Sequence, residues 1–343
     1  MEKRATILDI AEQLGVTPGT VSRALNNHPK ISAETKQAVI QMAEKLNYRA
    51  NRIASSLRSG KSHVIGVMIP SAEINFFGSV VHGIESIANM HGYNVLIFQS
   101  NELQDHEVKG IETFVSARVD GILASIAKDT KDYSHYLEVK ARGIPLVFFD
   151  RANSQLGIPS VVIDDYKGAY IATSHLLEQG YQRVAHISGP QHIKIFNDRQ
   201  RGYVNALQDK GIAYDASLVY TGDVSIEAGR AAVNYFFQLP IPPDAVFAVE
   251  DFTALGVLKA LKERHIRIPE DFGVIGFANE MFGLHVTPTL STIDQQTVLM
   301  GREAVSLLLQ ICNEKDGGTL INKQVVLEPL PNFRESSLRN TVR

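Results

Sequence analysis

The stretch 6–26, TILDIAEQLGVTPGTVSRALN, leaves the chain fewer choices than any other segment. Thr6 and Asp9, three residues apart, form a capping-box pattern in which the Thr hydroxyl accepts from an orphan N–H at a helix start. Ile7, Ile10, Ala11 and Leu14 then recur at helical spacing on one face. Gly15 follows at once, where a helix end needs a residue that tolerates positive φ. Thr17 restarts the helix as its cap, and Pro18 takes the first helical position, where a missing N–H costs nothing. With Val21 and Leu25 turned inward, Gly19, Thr20, Ser22, Arg23 and Asn26 face out. Two short helices about a Gly turn, the second with small polar residues and one Arg outward, read as a helix-turn-helix whose second helix suits a DNA major groove.

Ser32 caps a third helix, and its Val39, Met42, Ala43 and Leu46 close a small all-α core, so residues 1–49 form the expected head. Residues 50–62 follow as a hinge segment, ending in the small polar run SGKSH. Net charge is −3, which by itself argues against a nucleic-acid partner, but its distribution argues for one. Residues 1–60 hold nine Lys/Arg against five Asp/Glu, whereas the remainder holds 25 against 32. A basic front on an acidic body is the asymmetry expected when the front alone meets phosphate.

From Val64 the texture changes to short apolar runs alternating with helical stretches. The expected strands are 64–69, 94–98, 121–125 and 145–149, then 184–188, 218–221, 245–249 and 273–277. The two series, offset by roughly 120 residues, suggest two copies of one doubly wound parallel-sheet unit. Strands covered on both faces require such unbroken apolar runs. Ligands in open α/β sheets sit beyond the carboxyl ends of the strands. That rule selects the loops holding Ser71, Asn75, Phe76 and Phe77; Ser100 and Asn101; Asp150 and Arg151; 191–199; Glu250 and Asp251; and Asn279 and Glu280. Carboxylates, amides, an Arg and aromatic faces suit a polyhydroxylated ligand. Asp120 and Asp244, just ahead of strands, read as turn or cap residues.

The parts of an enzyme are missing from the pattern. No G-x-G-x-x-G follows a strand, and neither a G-x-x-x-x-G-K-[ST] nor a G-x-S-x-G occurs. Eleven histidines lie scattered without H-x-x-x-H or H-E-x-x-H spacing, so no metal or other cofactor is expected. Cys312 is the single cysteine, which rules out an internal disulfide and fits a reducing cytoplasm. No apolar run reaches the roughly 18 residues of a membrane span, and MEKRATILD lacks the apolar segment of a secretory signal.

The run ATILDIAEQLGVTPGTVSRALN, then ISAET, LNY and NRIASSLRSGKSHVIGVMIP, resembles the lac repressor (LacI/GalR) family of bacterial transcription regulators. The likeness continues through NFFGSVVHGIE, GIPLVFFDR, HLLEQGYQRVAHISGP, DRQRGY, PTLSTIDQ and LPNFRESS in family order. It implies a two-lobed body of the type I periplasmic-binding-protein architecture over 63–343. The first lobe would take about 63–162 and 293–323, the second about 163–292 and 324–343, with crossings near Asp164, 288–293 and Lys323. It also implies a cytoplasmic homodimer on a pseudo-palindromic double-stranded operator, most simply a repressor, controlled by a small carbohydrate or sugar acid in the cleft. No leucine heptad follows LPNFRESSLR, so a tetramer-forming tail is not expected.

Residue by residue, the resemblance gives Arg23 the task of reading a base, with a phosphate contact as the alternative. Pro18 and Gly19 match the family's variable specificity positions and carry no side-chain donor, so reading opposite them would be loose. Thr6, Thr17, Ser22, Asn26, Lys30 and Ser32 would hold phosphates, beside Thr20 on the same face. Asn51, Ala54 and Leu57 match a segment that becomes helical on operator, its leucine wedging into the minor groove; a Leu packed on the body is the alternative. Ser71, Asn75, Phe76, Asp150, Arg199, Glu250, Asn279 and Gln295 are the expected effector residues. Structural ion pairing is the alternative for Asp150 and Arg199. Glu250-Asp251 stands where sugar-binding members commonly have Asn-Asp, Ala278-Asn279 where they have Asp, and Val224 where an aromatic often stacks on ligand. The competing reading is a sugar-binding or sugar-processing protein whose N-terminal helices serve protein contacts.

Overall fold

The computed structural model describes residues 5–48, 61–313 and 323–339. The chain divides into two compact units, Met1–Ser62 and His63–Arg343. In the first, α1 (Ile7–Leu14), α2 (Pro18–Leu25) and α3 (Ala33–Lys45) follow the caps expected of them. Thr6 and Asp9 complete a reciprocal capping box, and Gly15 ends α1 at φ 64°. Thr17 and Ser32 accept from the N–H of Thr20 and Thr35. Ile10, Val21 and Val39 are fully buried at the centre, with Ala11, Ala24 and Ala43 around them. Ala24 rather than Leu25 is the second fully inward position of α2; Leu25 packs at the rim. Asn51, Ala54 and Leu57 lie outside the described residues.

The second unit opens with β1 (Val64–Ile69), α4 (Asn75–Met90), β2 (Asn94–Gln99), α5 (Gln104–Ser116), β3 (Gly121–Ala124), α6 (Ser134–Ala141), β4 (Leu146–Phe149) and β5 (Ser160–Ile163). After Asp164, the second lobe holds α7 (Asp165–Glu178), β6 (Val184–Ser188), α8 (Lys194–Asp209), β7 (Val219–Thr221), α9 (Ile226–Phe236), β8 (Ala245–Ala248), α10 (Asp251–Glu263) and β9 (Gly273–Ile275). Then come β10 (Thr292–Asp294), α11 (Thr297–Asn313), β11 (Gln324–Leu327) and β12 (Leu330–Asn332). The first sheet has the order β11-β5-β4-β3-β1-β2 and the second β7-β6-β8-β9, both parallel throughout. Residues of β3, β4 and β8 are buried along their whole length, because helices cover both faces. Asp120 and Asp244 fasten the strand entries: Asp120 accepts from His63 N–H, and Asp244 from Gln182 and Arg183 N–H.

The chain passes between lobes at Asp164, as expected, but the other two passages fall later than the sequence suggested. Ile293 packs in the core of the second lobe, so the chain leaves only after β10, just before α11 settles on α4. β11 pairs with β5, which keeps 324–327 in the first lobe and puts the last passage after Leu327, not near Lys323. β10 and β12 then pair antiparallel as the two strands of this connection. Among the described residues, no helix is long and apolar enough to cross a membrane, and no group of three His, Cys, Asp or Glu could hold a metal ion.

Candidate functional site

In the head, Thr17, Pro18, Gly19, Arg23, Asn26, Lys30, Thr6 and Ser32 are exposed, and Thr20 and Ser22 half-buried. The Arg23 Nε–H donates to the Gly19 carbonyl at 3.2 Å, one helical turn back. That bond lays the stem back along α2, and the exposed terminal nitrogens carry no other bond among the described residues. Several expected phosphate contacts already have local partners. Thr6 Oγ donates to Asp9 at 2.7 Å, Ser32 Oγ meets Thr35 Oγ at 2.8 Å, and Asn26 Nδ2 donates to the Ser22 carbonyl at 2.8 Å. Among the described residues, Arg23 and Lys30 are exposed cations of this face with no carboxylate partner.

The body carries its cleft where the strand-end rule places one. Helices α4 and α8, each 16 residues and 119 positions apart, begin without a side-chain cap: Ile74 (φ −89°, ψ 114°) and Ile193 (φ −89°, ψ 120°) precede them in nearly the same conformation. Their first turns, with loops after β4, β7 and β8, enclose a cavity of about 350 Å³ between the lobes. Its apolar wall includes Phe76, Phe77, Phe196, Phe252, Val224 and Ile226. Asp150, Arg151, Arg199, Glu250 and Gln295 bring the polar groups. Among the described residues, two hydrogen bonds span the lobes: Asn75 Nδ2 donates to Glu280 at 2.9 Å, and His192 Nε2 donates to the Lys128 carbonyl at 3.0 Å.

Arg199 is held by the protein itself. Its Nε donates to Asp165 at 2.8 Å, one terminal nitrogen to the Val249 carbonyl at 2.6 Å, and the other reaches Asp165 at 2.7 Å and Gln295 at 3.3 Å. The guanidinium also lies 3.7 Å from the Phe277 ring centre, a cation–π contact. Burial raises the Asp165 carboxyl to about 6, against the pull of Arg199. Asp150, in left-handed backbone at φ 59°, accepts from Ser125 Oγ at 3.2 Å. Its carboxyl is raised by burial, a shift that Arg151 and Arg199 oppose. Arg151 turns to Glu102 at 2.7 Å.

Burial and the neighbouring Asp251 raise the Glu250 carboxyl to about 8. Burial likewise lifts Asp251 to about 7, although Thr292 Oγ (2.7 Å) and the Glu280 N–H (2.8 Å) donate to it. A neutral Glu250 can donate as well as accept a hydrogen bond at the cavity wall, while also capping α10 through the Phe252 N–H.

Five of the eight expected effector residues, Phe76, Asp150, Arg199, Glu250 and Gln295, line this cavity. Ser71, Asn75 and Asn279 do not. Ser71 accepts from the Glu73 N–H, Asn75 is spent on Glu280, and Asn279 is tied to Asp294 and Arg334. The sequence reading passed over Lys128, Ser225, Ile226, Glu227 and Phe252, which also line it. Applied to the loops after β3 and β7, the strand-end rule reaches the first four.

Comparison with known proteins places both units. Residues 6–51 match the family described as "Bacterial regulatory proteins, lacI family", and residues 62–332 match "Periplasmic binding proteins and sugar binding domain of LacI family". The chain is 32% identical to Catabolite control protein A of Priestia megaterium over 97% of its own length and 99% of that protein. It is 35% identical to the HTH-type transcriptional repressor CytR of Escherichia coli (strain K12) over 90% of each. Among solved structures, the lac repressor dimer bound to operator and the anti-inducer ONPF superposes with a TM-score of 0.87 at 26% identity, over 98% of this chain and 100% of that one. A transcriptional regulator CelR–cellobiose complex gives a TM-score of 0.72 at 29% identity, over 97% and 100%.

Proposed function

Because this chain belongs to the LacI family of bacterial regulatory proteins, it is a DNA-binding transcriptional regulator, and we propose that it represses from a paired operator under control of a glycosidic or sugar-like effector. The observation that carries the reading is the union in one chain of an exposed α2 bearing the free end of Arg23 with a two-lobed body holding a cavity between its lobes. The relatives point the same way: a lac repressor dimer is bound to operator, and CelR is complexed with cellobiose.

One module offers one readable helix, so two-fold pairing supplies two and matches a pseudo-palindromic site. Such a dimer belongs in the cytoplasm with its operator and needs no catalysis. The lobes, joined by three chain passages and two cross-lobe hydrogen bonds, form an element with more than one arrangement. An effector that prefers one arrangement shifts DNA affinity by that preference and no further. Phe76, Asp150, Glu250 and Gln295 contact the effector on this reading, and Arg199 positions the floor through Asp165 and Gln295.

Selection of bound sequences from a pool of random duplex, by the full-length protein at moderate salt, tests this directly. A two-fold symmetric motif is expected, weakened or strengthened by a cleft ligand. Uniform recovery of sequences would overturn it in favour of a binding protein whose helices meet other proteins.

A further inference from the structure

Three stretches of chain join the lobes, and each is bonded to the other two. Between the first, at Asp164, and the second, after β10, stands Arg199: it reaches Asp165 through two nitrogens at 2.8 and 2.7 Å and Gln295 at 3.3 Å. Between the second and the third, after Leu327, Gln296 Nε2 donates to the Glu328 carbonyl at 2.7 Å, beside the antiparallel pairing of Asp294 with Leu330. Between the first and the third, the Asp164 N–H donates to the Leu327 carbonyl at 3.1 Å, and Lys167 pairs with Glu328. These links differ in strength. Arg199 and Asp165 are buried, whereas the Lys167 and Glu328 side chains are exposed, where an ion pair contributes little. Of the side chains, Gln296 therefore ties the third passage most firmly.

Gln295 and Gln296 are neighbours with different surroundings. Gln295 is buried and lines the cavity. Gln296 stands in left-handed backbone at φ 52°, its N–H donating to Asp294 Oδ1 at 2.6 Å. A residue other than glycine keeps such a conformation only where its surroundings impose it. The turn gives one amide to the cavity and the next to Glu328. We infer that this ring of bonds makes the three passages a single hinge, with Gln296 the positioning residue that passes a displacement of Gln295 on to the third passage. This rests on the sensor reading of the cleft, since a hinge matters to DNA affinity only where the lobes change their arrangement. A ligand that draws on Gln295 acts on Arg199 and Asp165 on one side and, through the adjoining Gln296, on Glu328 on the other. Turning about one passage alone breaks a bond to another, so the hinge keeps its setting or gives way as a whole.

Hydrogen exchange by mass spectrometry on the full-length protein, without ligand, reads this in peptides covering 160–168, 292–298 and 324–331. Gln296→Ala removes the amide and keeps the Cβ. Exchange should quicken about five-fold, the return of one hydrogen bond, in 324–331 and also in 160–168. Gln296 makes no hydrogen bond to 160–168 among the described residues, so a merely local role would leave that peptide as it was. Gln295→Ala, made at the other end of the ring, should quicken exchange in 324–331, and the double variant should exceed either single one by less than their product. A rise confined to 292–298, or no rise, would overturn the single hinge and leave the sensor reading intact. A rise spread over the whole body would overturn it as well, because that is lost stability rather than a loosened hinge. Affinity for the selected operator, read by fluorescence anisotropy, should change in Gln296→Ala by a comparable factor. Loosening at all three passages with unaltered operator affinity would uphold the hinge and overturn the sensor reading instead.

Discussion

Arg23 and Arg199 show how differently one residue type serves the two units. Arg23 is exposed, anchored by a single bond to Gly19 and open at its outer end, the geometry needed for the O6 and N7 acceptors of a guanine. Arg23→Ala should weaken binding to the selected operator by about 1–3 kcal/mol and to random duplex by much less. An equal loss on both, by fluorescence anisotropy, would reduce Arg23 to a phosphate contact. Arg199 is 3% exposed and its ionic partner Asp165 6%, so removing it leaves a carboxylate buried without its charge. Arg199→Ala should therefore cost the body about 3–5 kcal/mol in urea unfolding, well beyond a surface pair. A cost below about 1 kcal/mol would return Arg199 to the role of a ligand grip. The family resemblance put both arginines at expected functional positions, but the choice between grip and clamp for Arg199 needed Asp165, 34 residues away.

At the level of elements, the helices that close each lobe meet through glycine. Gly83 on α4 and Gly301 on α11 form a reciprocal contact: a Cβ at Gly83 would fall 2.2 Å from the Val298 carbonyl oxygen, and one at Gly301 2.1 Å from that of Val80. No side chain fits there without moving a backbone. Gly301→Ala should push α11 off α4 and lower stability by about 1–3 kcal/mol, read as a drop in melting temperature with little change in the head's affinity for operator half-sites. An unchanged melting temperature would mean the helices separate at no cost. The helices themselves were legible, since Val80, Ile84 and Ala88 recur at helical spacing and all are fully buried. Less legible were β5, β10, β11 and β12, each of three or four residues, too short for a periodicity to register. β11 finds β5 across 164 positions of chain, a pairing that no local pattern announces.

At the scale of the whole molecule, buried titratable groups give the body a distinctive pH response. Glu250 and Asp251, raised to about 8 and about 7, keep their protons in the folded protein after the unfolded chain, at 4.5 and 3.8, has released them. Rising pH through that window therefore favours unfolding. His175 and His186, both lowered to about 4 by burial, stay neutral where the unfolded chain at 6.5 gains protons, so falling pH below 6.5 also favours unfolding. Between 4 and 6.5 the two effects oppose; from 6.5 to 8 the carboxyls act alone. The body's melting temperature should fall across pH 6.5–8, and Glu250→Gln should flatten that slope. A flat profile in the unsubstituted protein would place Glu250 in a wetter setting than its neighbours Asp251 and Phe252 imply.

The head was determined almost wholly by its own sequence, because caps, turn and inward face are local: Thr6 finds Asp9, Thr17 finds Thr20, and Gly15 takes its φ without help from elsewhere. The order of strands and the chemistry of their loops were likewise written in sequence, since apolar runs and strand ends follow chain order. Tertiary structure decided which of those loop residues are free to meet a ligand. Asn75, Arg199 and Asn279 look alike in sequence as polar groups at strand ends, yet Glu280, Asp165 and Asp294 engage them. A buried charge without a partner is costly, so the fold itself satisfies Arg199, which is almost wholly enclosed, while Asn75 and Asn279 meet partners that only the folded chain brings to them.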